Sequence, residues 1–448
     1  MDSRHQTWLS SERFVPKTFI SPFVRFSQIE ASSGIVLLIA AVAAMIWANS
    51  TWSDSYFAIL ETHLTIEIGS FHFDESVLHL VNDGLMAIFF FVVGLEIKRE
   101  LVLGDLRDPK AAALPVLAAL GGMVVPALVY LFFNAGTAAG HGWGIPMATD
   151  IAFAVGIVAL LGSRVPPGAK LFLLAVAIAD DIGAIAVIAI FYTTDLNGFY
   201  LAAAVFGLIL VWVASKVHVR AMWFYVPTAF LIWYFMLESG VHATLAGVAL
   251  GFLTPARPYY TPKEFDERAR AILDQYDPDD ITDLHAQEHA DHEALLLSDI
   301  ASESVSPLTR MEHKLVAWSS FVIVPIFALA NAGVDFRDIS ITEALTSNIA
   351  LGVAAGLVIG KIVGISLASL GAVRFGLGKL PPGTTWAHVV GLAAVAGIGF
   401  TVALFVAGLA FEDPEFADLA KVGIFSGSIV AGIIGSIVLS RIKPRSSM

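Results

Sequence analysis

Twelve apolar runs constrain this chain more than any other feature. They fall at 29–49, 77–96, 111–134, 144–162, 170–192, 198–215, 221–237, 240–254, 315–334, 347–372, 386–410 and 420–440. Most approach the roughly 17–25 residues that a helix needs to cross a ~30 Å hydrocarbon layer. In hydrocarbon each backbone N–H and C=O must find a partner within the chain, so repeated spans mean helices rather than open sheets. Composition agrees: 57% of residues are hydrophobic and 15% charged, where a soluble domain carries about a quarter charged. The fold class expected is an all-α polytopic membrane protein of about 12 transmembrane helices. The first run lies behind a polar start and reads as one span among many, not as a cleavable leader. The sequence contains no cysteine, which excludes disulfides, thiolate metal sites and cysteine nucleophiles.

Lysine and arginine set the expected orientation. Arg4, Arg13, Lys17 and Arg25 precede the first run, and Lys98, Arg99, Arg107 and Lys110 follow the second. Arg164, Lys170, Lys216, Arg220, Arg374, Lys379, Arg441, Lys443 and Arg445 fall on the same face if the spans alternate. The opposite face has only Arg337 and Lys421. Both termini are therefore expected in the cytoplasm. The net charge of −13 comes largely from one polar insertion, 255–313, which the alternation also makes cytoplasmic. Its acidity argues against nucleic acid or anionic headgroups as partners.

Two features lie outside the apolar runs. "LTIEIGSFHF" (64–73) alternates around Gly69-Ser70 and reads as a β-hairpin on the outer face. A lone hairpin is marginal in water, so it either lies on its own chain or pairs with a second copy. In the acidic insertion His285, His289 and His292 share one face of a helix. A metal or pH-sensing site is one reading, and a solvated acidic helix with incidental histidines is the simpler one.

Few ionisable residues fall within the runs; among them are Asp83, Asp150, Asp180, Asp181, His242 and Lys361. A charge at a helix centre costs about 2.5–3.5 kcal/mol on insertion scales, so such residues point to a hydrated cavity, a partner or a transported species. "AVAIADDIGAIAVIAI" places Asp180 and Asp181 side by side, about 100° apart around a helix. A carboxyl that is withdrawn from water and set beside another holds a proton more readily than one in solution. Lys361, in "GLVIGKIVGIS", is the basic residue at comparable depth and the natural partner for one of them. Pro146 precedes Thr149 and Asp150 in the fourth run, and Gly397 and Gly399 bracket one residue in the eleventh. Interrupted spans in corresponding halves of a chain indicate a midplane site built from broken helices, whose end dipoles Asp150 and Lys361 can offset.

"ATDIAFAVG", "AIADDIGAI", "GLVIGKIVGIS" and "GIGFTVALF", in that order, closely resemble the NhaA family of bacterial sodium–proton antiporters. So do "NDGLMAIFFFVVGLEIKREL", "GSRVPPGAKLFLLA", "SGVHATLAGVALGF" and "PIFALANAGV". The resemblance implies an inner-membrane exchanger of cytoplasmic Na+ or Li+ for external H+. It would be active at alkaline pH, without a cofactor, and a homodimer through the outer hairpin. It implies an inverted-repeat core whose two broken helices cross at the midplane: 111–192 and 347–440. An interface domain would comprise 29–110, 193–254 and 314–336, with 1–28, 255–313 and 441–448 cytoplasmic. By motif, Asp180 and Asp181 become the cation- and proton-binding carboxylates, Lys361 the ion-pair partner of Asp180, and Thr149 and Asp150 residues of the helix crossing. Glu96, Arg99, Glu100, His242, Glu312 and His313 match positions linked to pH response. An intramembrane aspartyl protease would need its two carboxyls on different helices. A sodium-coupled symporter of an organic solute would want a roomier polar site than these runs offer.

Overall fold

The computed structural model describes residues 32–68, 71–193, 196–219, 221–274, 284–337 and 340–442. The N-terminal segment with Arg4, Arg13, Lys17 and Arg25, the Gly69-Ser70 turn, Arg220, and the tail with Lys443 and Arg445 lie outside the described residues, as does the side chain of His285.

Nearly everything described is helix. In chain order come α1 (Ser32–Ala48) and α2 (Ser53–Leu60), bent by 114° at their junction. A hairpin of β1 (His63–Ile68) and β2 (Phe71–Ser76) follows, antiparallel, with His63 opposite Ser76 and Ile68 opposite Phe71. It is longer at both ends than the alternation suggested. Then come α3 (Val77–Val102), α4 (Pro109–Asn134), a 3₁₀ segment at Ala138–Met147, α5 (Ile151–Leu161), α6 (Pro167–Phe191), α7 (Gly198–Lys216), α8 (Met222–Glu238) and α9 (Thr244–Leu253). The insertion contributes α10 (Pro262–Leu273) and α11 (Leu284–Glu303). The remainder is α12 (Pro307–Asn331), α13 (Ile341–Thr346), α14 (Asn348–Arg374), α15 (Trp386–Val395), α16 (Phe400–Ala410) and α17 (Pro414–Ser440). Among the described residues eight helices are long and apolar enough to cross a membrane, or ten if α1 with α2 and α15 with α16 each make one span.

Helix ends fall where the chain supplies caps. Asp108, Ser306, Ser347 and Asp413 each accept a hydrogen bond from a backbone N–H one or two residues into the helix that follows, and Pro109, Pro307 and Pro414 occupy first-turn positions where a missing N–H costs nothing. Capping moves one boundary far from the hydropathy estimate. Because Ser306 and Pro307 start α12, Glu312 and His313 belong to a helix and not to the loop expected there. The insertion is also ordered more than its polarity suggests. Thr261 and Glu264 form a reciprocal capping box on α10, Arg268 lies 4.7 Å over the Tyr260 ring, and the Tyr259 N–H donates to Glu303 O at 3.0 Å. His289 Nδ1 lies 3.3 Å from Glu293 Oε1, and no metal-competent cluster occurs among the described residues.

Large apolar side chains such as Phe132 (84% exposed) and Trp223 (81%) face outward along the helices. Such a surface suits hydrocarbon, not water. Arg337 and Lys421, the two cations expected on the outer face, are neutralised locally: Arg337 donates to Asp335 at 2.7 Å, and Lys421 to Asp418 at 2.9 Å. Arg337 thereby holds the Asp335 carboxyl below the usual carboxylate range. Carbonyls at and beyond the end of α12 are satisfied from other elements, Leu329 and Ala330 by Tyr56 Oη, Gly333 by Lys421 and Val334 by Asn49.

The centre of the molecule depends on helices packed backbone to backbone. Gly121 of α4 faces Gly364 of α14 so closely that a Cβ on either would strike the other's carbonyl. Gly364→Val is expected to force these helices apart, costing about 1–3 kcal/mol or more. It should lower the apparent Tm of the purified protein, while Gly371→Val, with open space at its Cβ, leaves it unchanged.

Candidate functional site

Two charged residues, among the costliest groups to place in a helical membrane interior, meet at the centre. Lys361 is fully buried and Asp180 is 1% exposed; Nζ lies 2.5 Å from Asp180 Oδ2. They come from α14 and α6, which flank α4. An ammonium has three N–H donors, and the other two acceptors are Thr149 Oγ1 at 3.0 Å and the carbonyl of Met147. A π-bulge at Gly356–Gly360 immediately precedes Lys361 in α14, a distortion frequent at functional sites. The Thr149 hydroxyl lies 2.8 Å from both Asp180 Oδ2 and the Ala396 carbonyl, so one side chain ties the ion pair to the interrupted segment between α15 and α16.

One face of this cluster has no hydrogen-bond partner among the described residues. Asp180 Oδ1 is buried and accepts no hydrogen bond. Asp181, one residue on and 7% exposed, receives no donor among the described residues. Burying an oxygen without a partner costs about 1–3 kcal/mol, more for a charged group. A carboxyl oxygen is the kind of donor that suits a hard cation or a proton.

The chain breaks twice beside the pair. Residues 138–164 run as the 3₁₀ segment, an extended stretch at 148–150, then α5; α15 and α16 meet at 50° across Ala396–Gly399. The strands of backbone exposed by the breaks satisfy each other, with the Asp150 N–H donating to Ile398 O at 2.6 Å. The Asp150 carboxylate accepts from the Phe153 N–H at 3.2 Å, and from the Thr401 N–H at 3.1 Å and hydroxyl at 2.6 Å. It therefore sits on the positive ends of α5 and α16 together, while Lys361 and Thr149 serve the carbonyl ends at Met147 and Ala396. Ser428 of α17 accepts from the Gly399 N–H at 3.3 Å.

The remaining candidates divide into two places. Arg99 donates to Glu312 across α3 and α12, and to Glu100 Oε1 at 3.2 Å; Glu96 lies one turn away on α3, and His313 is exposed beside them. Lys98 caps the end of α9 through the carbonyls of Phe252 and Thr254 at 2.7 and 2.5 Å. His242 is not part of this cluster. Its Nε2 lies 2.7 Å from the Tyr192 carbonyl, at the other end of α6. Tyr192 Oη in turn donates to the His141 carbonyl at 2.7 Å and accepts from the Gly144 N–H.

The sequence profile described as "Na+/H+ antiporter 1" matches residues 24–439. The chain is 46% identical over 418 residues to a protein of Rhodopirellula baltica named Na(+)/H(+) antiporter NhaA, covering 93% of each. The protein of the same name from Sulfurimonas denitrificans is 44% identical over 422 residues, 94% of this chain and 95% of the relative. A third, from Anaeromyxobacter, is 47% identical over 432 residues, 96% and 93%. The chain belongs to the Na+/H+ antiporter 1 family.

In this antiporter-family chain the residues singled out from sequence and those in the central site largely coincide, and the exceptions have a physical reason. Thr401, Ser428 and the carbonyls of Met147, Ala396 and Ile398 carry no charge and no motif spacing. None of them was singled out from the sequence; the one signal that could have found Thr401 is its place two residues after Gly399. The buried pair has a testable energetic consequence. Removing one member leaves the other charge unpaired, at a cost of about 3–5 kcal/mol, whereas replacing both is far milder. Asp180→Asn and Lys361→Met alone should each lower the apparent Tm in detergent, and the double variant should recover most of the loss.

Proposed function

We propose that the chain exchanges cytoplasmic Na+ or Li+ for external H+ across a bacterial inner membrane, with the proton gradient as driving force. The observation that carries this reading is the unpartnered Asp180 Oδ1 beside the donor-free Asp181. Asp181 and Asp180 supply oxygen ligands for the cation, and the same oxygens take protons in its place. Lys361 holds Asp180 while the cation is absent. An arriving cation repels the ammonium by about 4 kcal/mol for unit charges 4 Å apart at an effective dielectric of 20. Cation entry therefore weakens the Lys361–Asp180 pair, and ion and protons compete for one site. If only loaded forms change sides, exchange follows without covalent chemistry, and more protons than cations per cycle lets the membrane potential expel sodium.

The architecture we propose is twelve-spanning, with both termini cytoplasmic. To the eight long helices and the two bent pairs the reading adds α8, of 17 residues, and α9, of 10, at the remaining runs of the sequence. The segments 111–192 and 347–440 form an inverted-repeat core crossing near Thr149 and Asp150. The segments 29–110, 193–254 and 314–336 form the interface domain, whose hairpin supports a homodimer. The cytoplasmic cluster of Glu96, Arg99, Glu100, Glu312 and His313 regulates entry, alkaline pH favouring activity, and His242 contributes from the other end of α6.

Everted membrane vesicles with an established pH gradient test the reading. Sodium or lithium should collapse the gradient in the wild type, and Asp181→Asn, still inserted and folded, should abolish the collapse. Cation affinity should fall as pH is lowered from about 8.5 to 6, because bound protons then exclude the ion; equal affinity at both pH values contradicts competition.

A further inference from the structure

His388 lies in the first turn of α15 and is 5% exposed. It takes the place that Glu or Gln occupies in a capping box: the Thr385 N–H donates to Nδ1 at 3.1 Å, and Thr385 Oγ1 lies 2.8 Å from Nδ1 and accepts from the His388 N–H at 3.4 Å. The opposite ring nitrogen reaches another element, since Nε2 lies 3.1 Å from the carbonyl of Arg164, in the Gly162–Arg164 turn between α5 and α6. A carbonyl only accepts and a backbone N–H only donates. The ring is therefore neutral, with its proton on Nε2.

This contact closes a ring of structure. α5 and α15 are already pinned at the break by the hydrogen bonds from Asp150 N–H to Ile398 O and from Thr149 to Ala396 O. About 15 Å away, at 1.5 Å per residue, His388 pins their far ends. Gly168 at the start of α6 packs directly on Pro381 and Pro382 in the link that leads into α15, so the junction admits little slack.

We propose that His388 is a positioning residue for cation–proton exchange, whose neutral imidazole locks the Arg164 ends of the two broken spans together and whose protonation releases them. The proposal rests on the transport reading above only for its functional consequence. A protonated ring carries hydrogen on Nδ1 and faces the Thr385 N–H donor to donor. The Thr385 hydroxyl can turn to accept, but the backbone donor at the start of α15 is then orphaned. Among the described residues no acidic side chain lies toward this end on the elements packed against α15. The elements packed on α15 are α14, α17 and α6, and the charged residues toward this end are Arg374 on α14, Arg441 after α17 and Lys170 on α6, with Arg164 and Lys379 in the links. All are cations. Across Gly378, which packs on Leu114 of α4, stand Asp108 and Lys110, and Asp108 is engaged in capping α4.

His388→Gln tests the lock, because glutamine retains an acceptor and a donor and does not titrate. Sodium-dependent gradient collapse and amide hydrogen-exchange protection over Thr385–His388 are compared for wild type and His388→Gln from about pH 5.5 to 8.5. The two should agree at alkaline pH. Where half of the wild type has lost the protection, His388→Gln should be about twofold more active and still protected. His388→Ala should lose protection at every pH. Superimposable wild-type and glutamine profiles in both measurements would overturn the proposal. A protection step in wild type but not in His388→Gln, without exchange in either, would uphold the lock and reject the transport reading.

Discussion

The structure depends on the burial of one ammonium. Lys361 sits at zero exposure among helices whose outer surfaces suit hydrocarbon, and an unpaired charge there would cost several kcal/mol. Its three donors are met by Asp180, Thr149 and the Met147 carbonyl. Each acceptor comes with a structural requirement. Asp180 must be held on a neighbouring helix within hydrogen-bonding distance, and Met147 must lie where backbone has left the α-helical pattern, so that its carbonyl is free. The interruption at 148–150 therefore supplies a ligand to the lysine as well as a break in the span.

Broken helices bring their own cost, since each exposes backbone groups that lipid cannot satisfy. Here two breaks meet and the costs offset. The Asp150 N–H finds Ile398, the Thr149 hydroxyl finds Ala396, and the Asp150 carboxylate serves α5 and α16 together. What is left over is small and specific: one oxygen of Asp180 and the carboxyl of Asp181. On the proposed reading these oxygens exchange one cationic partner for another, while the hydrogen bonds made by Thr149, Asp150 and Thr401 hold the two breaks together. The glycine contacts between α4 and α14 bring the backbones close enough for this geometry.

Much of this was legible in the sequence because charge in an apolar run is rare enough to be informative. Asp180, Asp181, Asp150 and Lys361 stand out by type alone, and Pro146, Gly397 and Gly399 mark the breaks. Their partners did not stand out, since a carbonyl acceptor belongs to every residue and a donor such as Thr401 is unremarkable in a span. Hydropathy also misplaced helix ends. It stopped the second span at 96, whereas α3 continues through Lys98 and Arg99 because these side chains reach carbonyls and carboxylates on α9 and α12. It started the ninth at 315, whereas the Ser306 cap sets the beginning at Pro307. Within the acidic insertion a helix was expected only around the histidines, where α11 lies; α10 is a second one, capped by Thr261 and Glu264. His388 escaped notice because its importance comes from a partner, Arg164, more than two hundred positions earlier in the chain.

The central claim is that cation and protons compete for the oxygens of Asp180 and Asp181. The most direct measurement is proton release from the purified protein in weak buffer at mildly alkaline pH, followed with a pH-sensitive dye as NaCl or LiCl is added. Choline chloride serves as the ionic-strength control. The account predicts saturable release on adding sodium or lithium, absent with choline and absent in Asp181→Asn. Saturable cation binding without any proton release would contradict it.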